Sequence, residues 1–336
     1  MRRSTFVGWR AVCAGALAVL AGVGAIVSPA NAQDFPARPI HVIVPFAPGG
    51  PVDVLARALG EGFRERTGQT FIVENKPGAN TSIGAAACKN AEADGYTICL
   101  LTASTVSLNP FLYANLSYDP AKDLEPVTNV VLVQQVLLVH NSVPAANFSE
   151  LARYSEANPD KLNFGSFGVG GDSHLVIEWL KAKTGAKLTH VPFAGAAPGL
   201  VAFERGDVHA LFLVAGPAVV DKIRGGLAKG MLVSGRSRNP NLPDVPSFGD
   251  AGLPVLEFET WFGMFGPVRT PKERIDKIAR EASAVIRSEA FQGKYISSAG
   301  YVGVGNTPEE FAKFLTEDRP RAEELVKASG VRLTQQ

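Results

Sequence analysis

The stretch Ile40-His-Val-Ile-Val-Pro-Phe-Ala-Pro-Gly-Gly-Pro-Val-Asp-Val-Leu-Ala-Arg57 carries the grammar from which the fold is read. Ile40 to Val44 is a buried strand, Pro45 to Gly50 a loop, and a helix starts at about Pro51. Proline suits a first helical position because the N–H it lacks has no partner there. Gly49 and Gly50 let the chain bend sharply and bring backbone N–H groups to the positive end of a helix. In outline this is an anion cradle.

Upstream, residues 1–32 read as a secretory signal peptide. Arg2, Arg3 and Arg10 make a basic start, Ala11 to Val27 are apolar or small, and Ala30-Asn31-Ala32 fits a small-x-small cleavage site. Phe6 stands one place too far along for a twin-arginine signal, so Sec export is expected, and Cys13 lacks a lipoprotein context. Cleavage after Ala32 of the 336-residue chain leaves 304 residues. It takes three arginines and no acid, so the formal charge passes from +1 to −2. Such a balance gives no reason to expect nucleic acid or a membrane surface as partner. Cys88 and Cys99 remain in the mature chain. One falls on a helix pattern and the other on a strand pattern, so two buried free thiols are expected, with a bridge as the alternative.

Strand patterns at Ile40–Val44, Thr70–Val73, Tyr96–Leu101, Val136–Val139, Val208–Val214 and Gly230–Val233 alternate with helical ones. The helices fall at 52–67, 82–91, 149–157, 173–184 and 197–204, with Gly68 and Gly185 as left-handed stops. Continuous Val/Ile/Leu runs between amphipathic helices predict an α/β fold whose parallel sheets are covered on both faces. After Trp261, Thr270-Pro-Lys-Glu and Thr307-Pro-Glu-Glu open two further helices, each with threonine as cap and proline first.

Three more loops repeat the opening pattern. Thr102 to Pro110 is rich in hydroxyls; Phe164-Gly-Ser-Phe-Gly-Val-Gly-Gly-Asp-Ser-His174 leads into a helix capped by Asp172 or Ser173; His190-Val-Pro-Phe-Ala-Gly195 precedes another. All follow strands, at the ends where open parallel sheets bind ligands. Hydroxyls and free N–H groups there suit a carboxylate, although glycine and serine are ordinary turn residues too.

The sequence resembles the solute receptors of tripartite tricarboxylate transporters, the Bug group of periplasmic binding proteins. The resemblance runs from Phe35 almost to the end. It is carried by Ile43-Val-Pro-Phe46, Pro48-Gly-Gly-Pro-Val-Asp53, Val73-Glu-Asn-Lys-Pro-Gly-Ala79 and Asp94-Gly-Tyr-Thr97. Further along come Asn109-Pro110, Tyr113, Phe164-Gly-Ser-Phe-Gly168, His190-Val-Pro-Phe193, Leu242-Pro-Asp-Val-Pro246, Ala251-Gly-Leu-Pro254 and Trp261-Phe-Gly263. It implies a two-lobed type II periplasmic-binding fold closing on its ligand. Lobe 1 is expected over 34–136 plus 261–336 and lobe 2 over 137–260, with crossovers near Gln135 and Trp261. By position it implies ligand contacts from Phe46, Pro48, Gly49, Gly50, Ala79, Ser104 and Thr105 in the first lobe. In the second it implies Ser166, Gly168, His174, Phe193 and Ala194. Trp261 either lines the cleft or packs beside it.

The implied partners are a small carboxylate and the membrane subunits of a transporter, with the receptor a monomer, without metal or cofactor. Two departures from the family pattern bear on the ligand. Asn80-Thr81-Ser82 stands where Gly-Gly-Asn is common, and Pro192-Phe-Ala-Gly195 where the turn often carries tyrosine and lysine. Losing that lysine favours a less charged or more apolar acid. Asp53, in the first helical turn, either favours the helix dipole or holds a ligand ammonium, while Glu74 and Lys76 form a surface pair.

No enzyme signature competes. His41, His140, His174, His190 and His209 are scattered, and no Walker loop, Cys-x-x-Cys, His-Glu-x-x-His or Gly-x-Ser-x-Gly is present. Gly168-Val-Gly-Gly171 is only part of a dinucleotide fingerprint. The remaining alternatives are a sensor receptor on the same fold and a secreted hydrolase using Ser166 or Ser104 with His174.

Overall fold

The computed structural model describes residues 35–253 and 260–333; the expected signal peptide lies outside them. Eleven strands in this part form two sheets. The first has the order β11-β4-β10-β3-β1-β2, built from Ile40–Val44 (β1), Phe71–Asn75 (β2), Thr97–Thr102 (β3), Leu124–Val133 (β4), Thr260–Pro267 (β10) and Tyr301–Gly303 (β11). The second has the order β7-β6-β8-β5-β9, from Gln135–His140 (β5), Asn163–Ser166 (β6), Thr189–Pro192 (β7), Ala210–Val214 (β8) and Ala228–Val233 (β9).

The sheets are mixed, not wholly parallel as expected. β1 runs parallel to β2 and β3, and β6 parallel to β7 and β8. β10 is antiparallel to both β3 and β4, and β5 to both β8 and β9. The reason lies in the path of the chain. It leaves the first sheet at the end of β4, enters the second at Gln135, and returns as β10, which inserts between β3 and β4 against their direction. Two features hid these strands. Pro126 within β4 looks like a breaker, but its partner is Phe265, beside a register shift that tolerates the missing N–H. In β10, Gly263 and Gly266 blur the pattern. A Cβ on Gly263 would stand 2.4 Å from Phe311 Cζ, so the glycine lets that ring lie on the sheet.

Eight longer helices cover the sheets: Pro51–Thr67 (α1), Ser82–Lys89 (α2), Phe148–Ala157 (α3), Asp172–Thr184 (α4), Ala196–Glu204 (α5), Pro217–Arg224 (α6), Lys272–Ile286 (α7) and Pro308–Ser329 (α8). α1 and α4 end on Gly68 and Gly185 in the left-handed conformation, as expected. α8 opens with a full capping box between Thr307 and Glu310. Thr270 does not cap α7. Its hydroxyl donates to Pro267 O across a tight turn, and Pro271 takes the cap position.

The cores are continuous across the elements. Val42, Leu55, Leu59, Phe63, Ile98, Phe262 and Ile278 fill the space between the first sheet, α1 and α7. On the other face, Trp261, Phe265 and Phe311 join Leu175, Trp179, Leu325 and Val326 in one apolar cluster. α8 therefore packs both on β4 and on α4 of the second sheet. Trp261 is fully buried and its Nε1 donates to Asp318 at 3.0 Å, so of its two readings, packing is the one realised. Cys88 on α2 and Cys99 on β3 form a disulfide, with Cα atoms 6.0 Å apart. The free-thiol expectation fails because α2 lies along β3 and brings both Cβ atoms into the same buried layer.

Candidate functional site

Parallel strands put their carboxyl ends along one edge. In the first sheet the loops after β1, β2 and β3 thus lie side by side; in the second, those after β6 and β7 do. The two sets face each other. Asp172 N–H points at Ser104 Oγ, 3.3 Å away. A Cβ placed on Gly168 or Gly171 would lie 3.7 Å from Asn80 Oδ1.

The loop after β1 is braced from within. Asp53, 3% exposed, accepts from Gly49 N–H at 3.0 Å, from Arg57 Nε at 3.0 Å and Nη2 at 2.9 Å, and from Asn75 Nδ2 at 3.0 Å. Asn75 also donates to Phe46 O at 2.9 Å. Burial alone would raise this carboxyl, but the bonds from Arg57, Gly49 and Asn75 hold it below the usual carboxylate value. Its oxygens are committed, which leaves no place for a ligand ammonium. Gly49 takes φ +84, and Gly50 is the extended cap of α1. Pro48 is exposed and Phe46 half-buried at the rim. Glu74 and Lys76 pair at 2.7 Å, as read from the sequence.

The loop after β2 is strained. Ala79, Asn80 and Thr81 have φ of 45°, 45° and 74°, three successive non-glycine residues in the left-handed region. Each such residue costs about 1–3 kcal/mol unless its surroundings impose it. Here a buried polar network does. Thr105 Oγ1 donates to Thr81 Oγ1 at 2.8 Å and lies 3.3 Å from Thr102 Oγ1. Asn109 Nδ2 donates to Asn80 O at 2.9 Å while its Oδ1 accepts from Asn80 Nδ2 at 2.9 Å. Tyr118, its hydroxyl pushed up to about 12 by burial, donates to Thr105 O at 2.6 Å. Thr105, fully buried, thus serves as a brace; Ala79 is exposed beside it and Ser104 sits at the edge, 7% exposed. The stretch Ser104–Leu108 is a turn of π-helix, a local irregularity that often marks functional sites.

In the second sheet, Ser166 Oγ lies 3.1 Å from Gly168 O, to which it donates, and pairs with His190 Nε2 at 2.6 Å. His174 Nδ1 accepts from Gly170 N–H at 3.0 Å, and its ring stacks on that of His190 with centroids 3.9 Å apart. Burial first, then neighbouring His190 and Lys181, lower His174 to about 4, so it is neutral at pH 7. Gly168 has φ +135, available only to glycine without strain. Phe193 N–H donates to Ser166 O at 2.8 Å, its half-buried ring lies over Gly165 and Gly199, and Ala194 is exposed beside it.

Of the twelve residues expected at the site, Ser104 and Gly168 stand where the two loop sets meet. Phe46, Pro48, Gly49, Gly50 and Ala79 belong to the first set; Phe193 and Ala194 to the second. Ser166, His174 and Thr105 lie behind these loops and fix their shape. The sequence reading missed Asn109, Tyr118, His190, Gln135 and Thr260. It took Asp172 or Ser173 for a cap, whereas Gly171 is the cap and Asp172 and Ser173 the first two helical residues. An open concavity of about 440 Å³, lined by residues including Glu178, Lys181, Lys187 and Ser329, sits at the other end of α4, away from these loops.

Residues 55–331 match the model of the tripartite tricarboxylate transporter family receptor. The chain belongs to this family. Among solved structures, the periplasmic binding protein BugD is 34% identical over 89% of this chain and 99% of its own, with a TM-score of 0.82. Rpa4515 of R. palustris with adipate is 30% identical over 89% and 99%, with a TM-score of 0.84. MatC from Rhodopseudomonas palustris with bound malate is 30% identical over 87% and 100%, with a TM-score of 0.80. The Bug-group resemblance and the two-lobed fold follow from these matches. The receptors of this family are solute-binding proteins. No helix among the described residues is long and apolar enough to cross a membrane.

Proposed function

We propose that this receptor captures a small carboxylate between its two loop sets in the periplasm and hands it to the membrane subunits of its transporter. The facing of the two sets, Ser104 of one against Asp172 N–H of the other, carries the reading. Backbone N–H groups at Gly50 and Ala79 and the Ser104 hydroxyl offer short, charge-assisted bonds to a carboxylate. The relatives' bound adipate and malate support the same ligand class. Lobe 1 comprises 34–136 with 261–336, lobe 2 comprises 137–260, and bending occurs near Gln135 and Trp261. The mature chain begins after Ala32 and acts as a monomer. Without a lysine at Ala194, the site prefers a less charged or more apolar acid over citrate.

Ser166 argues for binding over hydrolysis. It is fully buried, and its Oγ is held inside the loop between Gly168 O and His190 Nε2, away from any entering carbonyl carbon. A thermal-shift series with adipate, malate, citrate, a monocarboxylate and an aromatic acid tests the reading. A micromolar binder at 100-fold excess over its Kd adds about 2.7 kcal/mol to stability. A shift by sugars with none by any carboxylate overturns it.

A further inference from the structure

Asp172 has surroundings unlike those of Asp53. As the first residue of α4 it stands where the Ser104 loop meets the Gly168–Gly171 loop, with Gln135 and Thr260 beside it. These two open β5 and β10, the strands that enter each sheet from the other. Three neutral donors hold the carboxylate. Gln135 Nε2 at 2.9 Å and Thr260 Oγ1 at 3.1 Å reach Oδ2, and Ser173 N–H at 2.8 Å reaches Oδ1. The residue as a whole is half-buried, and these bonds fix its carboxylate deep at the seam of the two loop sets.

What this arrangement lacks is charge. Asp53, the other acid near the loops, has the Arg57 guanidinium against it. Asp172 has no such partner: no Lys, Arg or His among the described residues forms an ion pair with it. Burial pushes its carboxyl up, and only neutral hydrogen bonds oppose that. At the seam itself the neighbouring side chains Ser104, Gln135 and Thr260 are neutral too. With Asp172 ionised, a plain carboxylate entering here brings negative charge beside a fixed acid that has no counter-ion among the described residues. A ligand that also carries a cation relieves both.

Resting on the carboxylate-receptor reading above, we infer that Asp172 is a specificity residue, selecting acids with a cationic nitrogen beside the carboxylate, α-amino acids and like zwitterions, over plain carboxylic acids. Ser104, Gly50 and Ala79 take the ligand carboxylate, and the free lone pair of Asp172 Oδ1 takes the ammonium. The two acids read from the sequence thus exchange roles: Asp53 braces a loop, and Asp172 faces the ligand.

Calorimetry on the mature protein, refolded to remove carried-over ligand, tests this with matched acids of two sizes. One set is L-glutamate, 2-hydroxyglutarate and glutarate; the other is L-phenylalanine, phenyllactate and 3-phenylpropanoate. In at least one set the amino acid binds about tenfold or more tighter than both companions. Asp172→Asn abolishes that preference and Asp172→Glu retains it, while Tm shows both folded. If acids bind but in neither set does the amino acid bind more tightly than both companions in the wild type, the inference is overturned and the receptor reading stands; that comparison needs no variant. Retention of the preference by Asp172→Asn overturns it as well. Binding of none of the six, with the adipate, malate and citrate series also negative, overturns the carboxylate reading itself.

Discussion

Asp53 and Asp172 are both carboxylates in the first turn of a helix, yet their surroundings divide their work. Asp53 ties Gly49, Arg57 and Asn75 together, so Asp53→Ala loses charge-assisted bonds worth about 1.5–3 kcal/mol in total, the half-exposed guanidinium being screened. Chemical denaturation measures the loss, and an unchanged midpoint refutes the brace. His174 makes a pH prediction. Its Nδ1 accepts from Gly170, and protonation there removes the bond that shapes the Gly168–Gly171 loop. A histidine held down to about 4 contributes stability that is fully present above its unfolded value near 6.5 and lost as pH falls towards 4. Tm therefore drops across that window. His174→Asn, which keeps an acceptor but does not titrate, has a flatter profile, and an equally steep one speaks against the assignment.

At the scale of elements, local chemistry decides some boundaries and packing decides others. Thr307 with Glu310 starts α8 by reciprocal bonds within one turn, so Thr307→Ala costs about 1 kcal/mol in unfolding free energy. Thr270→Ala, with the same local motif, removes a turn bond instead. It should leave the helix signal of α7 unchanged by hydrogen exchange while loosening residues 267–270. The strained segment Ala79–Thr81 is held by Asn109, Thr105 and Tyr118, all outside it in sequence. Asn109→Ala releases it, and the expected result is faster amide exchange at 79–82 with weaker ligand binding. No local pattern announces this network, because Thr105 and Asn109 lie 24 and 29 residues from the residues they hold.

For the molecule as a whole, the disulfide and α8 join distant parts. A thiol assay on denatured mature protein should find none free without reductant. Reduction should lower stability by about 2–4 kcal/mol, since the bridge restrains the unfolded chain. One free thiol per cysteine refutes the bridge. α8 packs on elements of both sheets, so its contacts must adjust whenever the loop sets part. Small-angle scattering with and without bound acid should show contraction on binding, and identical radii oppose closure between the lobes.

Much of this was determined locally. The strand from Ile40 to Val44, the proline at the head of α1, the glycine stops at Gly68 and Gly185 and the capping box at Thr307 depend on neighbours within a turn or a strand. So do the loops at strand ends, which is why most candidate site residues could be placed by reading alone. The tertiary structure decided the rest. β4 and β10 form because each is paired along its length, despite Pro126 and two glycines. Trp261 is core because α8 covers it, and Cys88 meets Cys99 because α2 lies on β3. Above all, the different surroundings of the two acids are decided by charge partners across space: Arg57 occupies Asp53, and among the described residues no cation pairs with Asp172. A charge's partner is set by distance through space, which a linear sequence does not record.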